Sequence, residues 1–80
     1  MNFQEIMQRI REVILWRTKK SKIKDKDIAE ALNLDPQYYA VIKRRKKIPY
    51  LAISLFCKKH KVNMNWILLK EEPISLAIIS

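Results

Sequence analysis

Residues 25–44 hold two short helical patterns on either side of a tight turn, and this arrangement restricts the fold more than any other feature of the sequence. The first pattern covers about residues 26–33 and repeats apolar residues at helical spacing. The second begins at Asp35 and Pro36, because an Asp side chain can accept a free amide of the first turn and Pro has no N–H to leave unpaired there. It continues to about Arg45. Two helices joined so closely must cross, so this segment is predicted to be a packed helix pair.

Three further helices are predicted around this pair. They cover about residues 2–16, 50–60 and 64–69. Asn2 followed by Glu5 is typical of a helix start, and Pro49 forces a break before the fourth helix. The sequence therefore predicts an all-α, compact five-helix domain over residues 1–70. A short apolar tail at residues 71–80 follows, and its β-branched residues also allow a strand.

The charge of the chain narrows the class of partner. Its 80 residues carry 17 Lys and Arg against 8 Asp and Glu, a net charge of +9 that concentrates polyanions around the protein. Nucleic acid is the first candidate partner, and an anionic membrane surface is the second. The sequence contains no Gly, which excludes the glycine-rich loops that hold phosphate in nucleotide-hydrolysing enzymes. Because so short a chain buries only a small core, we expect no enzymatic activity.

The rarer residue types predict little chemistry. Cys57 is the single cysteine, so an intramolecular disulfide is excluded; we expect it to be a buried hydrophobe, with redox sensing as the alternative. His60 is the single histidine, so we expect neither a metal site nor a cofactor. No secretory signal or membrane span is recognisable, and the longest apolar run covers only residues 74–79, so we expect a cytoplasmic protein. Trp16 and Trp66 are expected to fill the core rather than stack on bases.

The turn between the two helices demands particular residue types. Ala29 lies where the helices approach most closely, which requires a small side chain. Asn33 occupies a turn position where the backbone becomes left-handed, and among residues other than Gly, Asn adopts this conformation at the least cost. The positions that fix the crossing angle are all apolar: Ile28, Leu32, Leu34, Tyr39 and Ile42.

The segment DIAEALNLD at residues 27–35 resembles the lambda-repressor-like helix-turn-helix family, of the phage CI repressor and Cro type. The resemblance extends over about residues 2–70. It is closest to the amino-terminal DNA-binding domains of CI repressors, through KKIPY at 46–50, FC at 56–57 and NWIL at 65–68. It implies a helix-turn-helix at residues 25–45, whose second helix enters the major groove of double-stranded DNA. Asn33 departs from the family pattern, which has Gly at this position.

The second helix of this motif has two faces when read at about 100° per residue. Tyr39 and Ile42 mark the inward side. The residues expected to contact bases lie opposite or beside it: Gln37, Tyr38, Ala40, Val41 and Arg44. Gln can pair with adenine and Arg with guanine, whereas small apolar side chains can meet a thymine methyl group. We therefore expect Gln37 and Arg44 to contribute most, and family members also contact bases from the start and the end of this helix.

Basic residues stand on both sides of that helix. The densest run is 43–47, where the helix would leave the groove, and a second group precedes the helix pair at residues 19–24. The residues expected to contact phosphates are Lys19, Lys22, Lys24, Lys43, Arg45, Lys46 and Lys47. A basic run alone is more often a solvated face, but its position directly after a helix-turn-helix favours phosphate contact.

Some apolar residues exceed what the core needs. The fourth helix already has a core-facing stripe, so Leu51 and Leu55 have no assigned neighbour, and the tail is apolar as well. Two interpretations stay open. Either the tail packs on its own domain, or two chains pair through their tails or over these leucines to form a homodimer. The residues assigned to dimerisation are Leu51, Leu55, Ile74, Leu76, Ile78 and Ile79.

The resemblance implies a sequence-specific transcriptional regulator, of the phage or prophage repressor type, that binds a palindromic operator as a homodimer. Three alternatives are compatible with the same residues. An antitoxin would use the motif to regulate its own gene and the apolar tail to bind a small toxin protein. The chain could also be the DNA-binding fragment of a longer self-cleaving repressor, or a protein of the membrane surface.

Overall fold

The computed structural model describes residues 2–75, in which five helices are joined by short connections. The helices are α1 (Phe3–Thr18), α2 (Asp25–Ala31), α3 (Pro36–Arg45), α4 (Tyr50–His60) and α5 (Met64–Leu69). The Cα radius of gyration is 12.2 Å, against about 12 Å for a globular chain of this length. The prediction of a compact, all-α, five-helix fold is therefore confirmed for the described residues. No helix among them is long and apolar enough to cross a bilayer.

The predicted bounds of α3, α4 and α5 are confirmed, and two other bounds were wrong. α1 continues through Arg17 and Thr18, two residues beyond its predicted end at about Trp16. The Thr18 hydroxyl donates to the carbonyl oxygen of Ile14 (2.8 Å) within this last turn. α2 ends at Ala31, two residues earlier than predicted, because the chain turns immediately after it.

The turn between α2 and α3 has the predicted backbone. Asn33 is left-handed with φ 57°, and its N–H donates to the carbonyl of Glu30 (3.0 Å). The N–H of Leu34 then donates to the carbonyl of Ala29 (2.8 Å), which closes the end of α2. Ala29 is fully buried, as a close approach of two helices requires. The turn therefore fixes the direction in which α3 leaves α2.

α1 is the central element of the core. Its buried stripe is Phe3, Ile6, Met7, Ile10, Val13 and Ile14. This helix packs against α2 and α5, and two of its arginines also bond the ends of other helices. Arg17 donates to the carbonyl of His60 at the end of α4 (2.6 Å), and Arg9 donates to that of Ile67 in α5 (2.9 Å). Carbonyls near the ends of α4 and α5 thus gain partners from α1.

The prediction that Trp16 fills the core was wrong, whereas the prediction for Trp66 was right. The side chain of Trp16 is 57% exposed and that of Trp66 is 6% exposed. Trp16 lies roughly 125° around α1 from the buried stripe, at 100° per residue, so the helix carries it away from the core. Its ring still packs against the outer side of Trp66, with centroids 6.1 Å apart.

The chain after α5 returns to its own domain. The N–H of Asn63 donates to the carbonyl of Ile74 (2.7 Å), and its side-chain amide donates to that of Pro73 (2.8 Å). Val62 and Ser75 form an isolated antiparallel bridge. Ile74 is partly buried against the core of the same chain. Leu76, Ile78 and Ile79, which were assigned to dimerisation, lie outside the described residues.

The cap of α3 makes a testable contribution to stability. The carboxylate of Asp35 accepts the N–H of Gln37 (2.7 Å), so Asp35→Ala is expected to lower the free energy of unfolding by about 1 kcal/mol. Denaturant unfolding followed by circular dichroism measures this loss. Asp35→Ser keeps an acceptor at the cap and should remain close to the unmodified protein. An equal loss in both variants would contradict a role for this hydrogen bond.

Candidate nucleic-acid interface

The side of α3 that faces away from the core is the part of the fold that can meet a large ligand. Tyr39 and Ile42 are each 2% exposed, which confirms the predicted inward side. The opposite side, called here the outer face of α3, consists of Gln37, Ala40, Val41 and Arg44. Its members are exposed except Val41, which is partly buried. The fifth predicted base-contacting residue, Tyr38, is about half exposed on the flank of this face.

A groove joins the outer face of α3 to the beginning of α2. It encloses about 500 Å³ and is lined by Asp25, Lys26, Pro36, Tyr39, Ala40, Lys43 and Arg44. The structure thus brings two predicted base-contacting residues, Ala40 and Arg44, beside one predicted phosphate-contacting residue, Lys43. It also places an acidic side chain among them, that of Asp25, to which the sequence analysis assigned no role.

The predicted phosphate-contacting residues at the end of α3 are all exposed. Lys43 and Arg45 lie in the last turn, and Lys46 follows in a left-handed conformation with φ 55°. The N–H of Lys47 donates to the carbonyl of Ile42 (2.9 Å), which completes the helix end. Cations in this position also stabilise the helix itself, because its carboxyl end carries partial negative charge. Their charge therefore has a structural role whether or not phosphate is bound.

The ammonium group of Lys43 already has an acidic partner in the same chain. This group bonds the carboxylate of Asp25, and the same carboxylate lies 3.7 Å from the guanidinium of Arg11. One acidic side chain thus connects α1, α2 and α3. Beside it, burial and the Asp25 carboxylate raise the pKa of Tyr39 to about 12, so this phenol stays neutral.

The connection before α2 presents its lysines around a buried anchor. Ile23, which received no role from the sequence alone, is 4% exposed and belongs to the core. Lys22 and Lys24 are exposed on either side of it, and Lys19 is the exposed C-cap of α1. None of these three forms an ion pair within residues 2–75.

Lys20 differs from the other lysines of this connection, because its ammonium group bonds the carboxylate of Asp27 (2.8 Å). This hydrogen bond raises the pKa of Lys20 and lowers that of Asp27. The backbone N–H of Lys24 donates to the same carboxylate (2.9 Å). Lys24 makes no side-chain ion pair, but its charge also helps to lower the pKa of Asp27. Lys19 and Lys22 are therefore the lysines of this connection that stand clear of acidic side chains.

A second groove, called here the apolar groove, lies beside the amino-terminal half of α4 and encloses about 710 Å³. Its apolar lining includes Leu34, Tyr38, Ile48, Pro49, Tyr50, Leu51 and Leu55, and its polar lining consists of Glu30, Asn33, Lys47 and Lys59. Leu51 is 75% exposed and Leu55 is 58% exposed. Two residues predicted to contact another chain are thus brought together with one predicted to contact bases, Tyr38. Ile74, also assigned to dimerisation, contacts the core instead.

Cys57 and His60 are the remaining side chains considered for reactivity or metal binding, and both are at least partly buried. Burial raises the pKa of the Cys57 thiol to about 11, so the sulfur is held in its unreactive protonated form. Burial, Arg17 and Lys59 lower the pKa of His60, whose ring packs on Phe56 with centroids 4.6 Å apart. Between residues 2 and 75, no three His, Cys, Asp or Glu side chains cluster in a way that could hold a metal ion.

Comparison of the chain with protein-family models, curated proteins and solved structures gives no match. The resemblance to the lambda-repressor-like family therefore rests on the residues named above.

Proposed function

We propose that this chain is a sequence-specific DNA-binding regulator that inserts α3 into the major groove and represses transcription as a homodimer on a palindromic operator. The observation that carries the proposal is the outer face of α3. Gln37 and Arg44 are exposed there, opposite the buried Tyr39 and Ile42. A major groove admits one α-helix, and these two side chain types can each form two hydrogen bonds with one purine. Such contacts would let the helix distinguish base pairs.

The basic residues around α3 supply the affinity in this proposal. Those after α3 would meet one strand of the backbone, and those of the connection before α2 would meet the other. Neutralising phosphates releases counterions, so binding should weaken steeply as salt rises. The connection is well suited to this task because the buried Ile23 holds it against the domain. Lys22 and Lys24 would then approach the backbone from a fixed loop.

The homodimer gives the regulator its symmetry. Leu51 and Leu55 of α4 expose apolar surface in the groove that also holds Tyr38 of α3, and a second copy of the chain would remove that surface from water. Two α3 helices about 34 Å apart would then enter successive major grooves on one side of the duplex. A dimer bound in this way occludes the polymerase. It would act in the cytoplasm, where bacterial DNA is found.

Selection of bound sites from random duplex DNA tests the proposal. We expect an enriched palindrome whose half-sites are centred about one helical turn apart. A Gln37→Ala/Arg44→Ala variant, altered only on the outer face, should remain folded and lose the enrichment. Binding to anionic vesicles as strong as binding to DNA, with no enriched sequence, would contradict the proposal and favour a membrane surface.

A further inference from the structure

Asp25 is an acidic side chain in a groove whose other charged members are basic. The groove between α2 and α3 holds Lys26, Lys43 and Arg44 in addition to Asp25. The Asp25 carboxylate is bonded by Lys43 from α3 and lies 3.7 Å from the guanidinium of Arg11 in α1. This groove borders the outer face of α3 through Ala40 and Arg44. A DNA backbone that followed α3 would therefore approach this carboxylate.

The ion pair between Asp25 and Lys43 is open to exchange. The Asp25 side chain is 45% exposed and that of Lys43 is 53% exposed, so water reaches both. Exposed ion pairs contribute little to stability, because water screens both charges, so a competing anion can replace one partner. Lysine has a flexible stem and a compact charge that can turn from one oxygen ligand to another. Lys43 can therefore leave Asp25 without disturbing the backbone of α3.

We propose that Asp25 is an intramolecular competitor of DNA, whose carboxylate occupies the position at Lys43 that a backbone phosphate takes on binding. This inference rests on the proposed function and deepens it. It makes Asp25 a residue that sets affinity for every DNA sequence alike, while the outer face of α3 sets base preference. The like charges of carboxylate and phosphate repel, so Asp25 opposes binding both by holding Lys43 and by its own field.

Arg11 can keep the Asp25 carboxylate paired after Lys43 leaves it. After Lys43 turns to the phosphate, Arg11 remains beside Asp25 and keeps its charge compensated. The Arg11 Nε is buried and has no hydrogen-bond partner within residues 2–75. The guanidinium therefore has a donor available with which to bind the carboxylate more closely. Asp25 is thus a positioning residue with one permanent partner and one exchangeable partner.

Asp25→Asn is the direct test. This variant should bind duplex DNA about fivefold more tightly at low ionic strength, because the ion pair no longer has to be broken. The gain should be similar for the selected operator and for unrelated duplexes, and it should shrink as salt rises, because salt screens exposed charges. Glu12→Gln is the matched control. It changes the net charge equally but lies in the groove between α1 and α5, and it should leave affinity unchanged.

Lys43→Ala distinguishes the release of Lys43 from the long-range electrostatic effect of the Asp25 charge. If Lys43 is the group released, the gain from Asp25→Asn should largely disappear in the Lys43→Ala background, as a double-mutant cycle reports. An undiminished gain in that background would overturn the inference. Asp25→Glu keeps the charge and should restore the affinity of the unmodified protein. A folded Asp25→Asn protein with unchanged or weaker DNA binding would also overturn it, whereas binding to no duplex by any variant would overturn the proposed function itself.

A measurement on the unmodified protein covers the case in which the variant fails to fold. The NMR signal of the Asp25 carboxylate carbon should move when a short duplex is added. The carboxylate signal of Glu5, which is paired with Arg9 in the groove between α1 and α5, is the internal reference and should move less. Equal behaviour of the two carboxylates in a protein that binds the duplex would contradict the exchange.

Discussion

Leu51→Gln/Leu55→Gln is expected to weaken binding to a full palindromic operator by about 100-fold or more, while binding to a single half-site changes little. The physical reason is the loss of the dimer. When two copies are joined, the second α3 binds its half-site at a high effective concentration, and a monomer forfeits this advantage. Leu51 and Leu55 are 75% and 58% exposed, so replacing them with a neutral polar residue should leave the core intact.

Sedimentation and DNA binding together check this result. The double variant should sediment as a monomer at concentrations where the unmodified protein is a dimer. Ser54→Gln is a suitable control, because Ser54 is exposed on the same helix but outside the apolar groove. It should change neither property. A double variant that stays dimeric, or that loses as much affinity for a half-site as for the full operator, would contradict a dimer through this groove.

The sequence predicted the helices best where their limits are set by local chemistry. Asp35 caps α3 with its own side chain, and Asn63 caps α5 by accepting the N–H of Asn65 (3.0 Å). Pro36 and Pro49 add steric signals that need no information from the rest of the chain. The stop signal of α2 is Asn33, but a left-handed residue lies beyond the helix that it ends, so the last helical residue is Ala31 and not Asn33. The bound of α2 was accordingly wrong by two residues.

The sequence was less informative about contacts between distant residues. The basic run predicts that Lys43 binds phosphate. In the folded chain, however, Lys43 is paired with Asp25, which lies 18 residues earlier in the sequence. Ile23 stands alone between two lysines without a helical apolar pattern to place it, yet it enters the core. One signal for Asp25 was available, because it is an acidic residue between Lys24 and Lys26 at the start of α2. Its pairing with Lys43 becomes visible only when α2 and α3 cross.

The basic residues around α3 differ in whether they already form an ion pair within the protein. Lys43 and Lys20 already have acidic partners, so their charge reaches DNA only at the expense of an existing pair. Arg44 has no ion pair within the described part of the chain. It also projects from the outer face of α3, whereas Lys46 follows the helix end. We therefore expect Arg44 to determine which bases are bound and Lys46 to determine how strongly any DNA is bound.

Arg44→Ala should accordingly weaken operator binding by about 1–3 kcal/mol in each half-site and relax the preference at one base pair. The guanidinium of Arg44 is placed to form two hydrogen bonds with a guanine, and alanine offers that base pair no alternative contact. Competition binding with operators substituted at single positions measures the relaxation. The free energy of unfolding should fall by no more than about 1 kcal/mol, because Arg44 is exposed, makes no ion pair within residues 2–75 and acts on stability only through the partial charge at the end of α3.

Lys46→Ala is the matched comparison for this prediction. It removes one positive charge from the same end of α3, so the electrostatic contribution to binding falls by a similar amount in both variants. Because Lys46 is expected to meet a phosphate, all sequences should weaken alike and the dependence on salt should become shallower. The reverse pattern, with Lys46→Ala changing base preference and Arg44→Ala weakening all sequences equally, would contradict the assignment of the outer face. It would move base recognition to the end of α3 and its following loop.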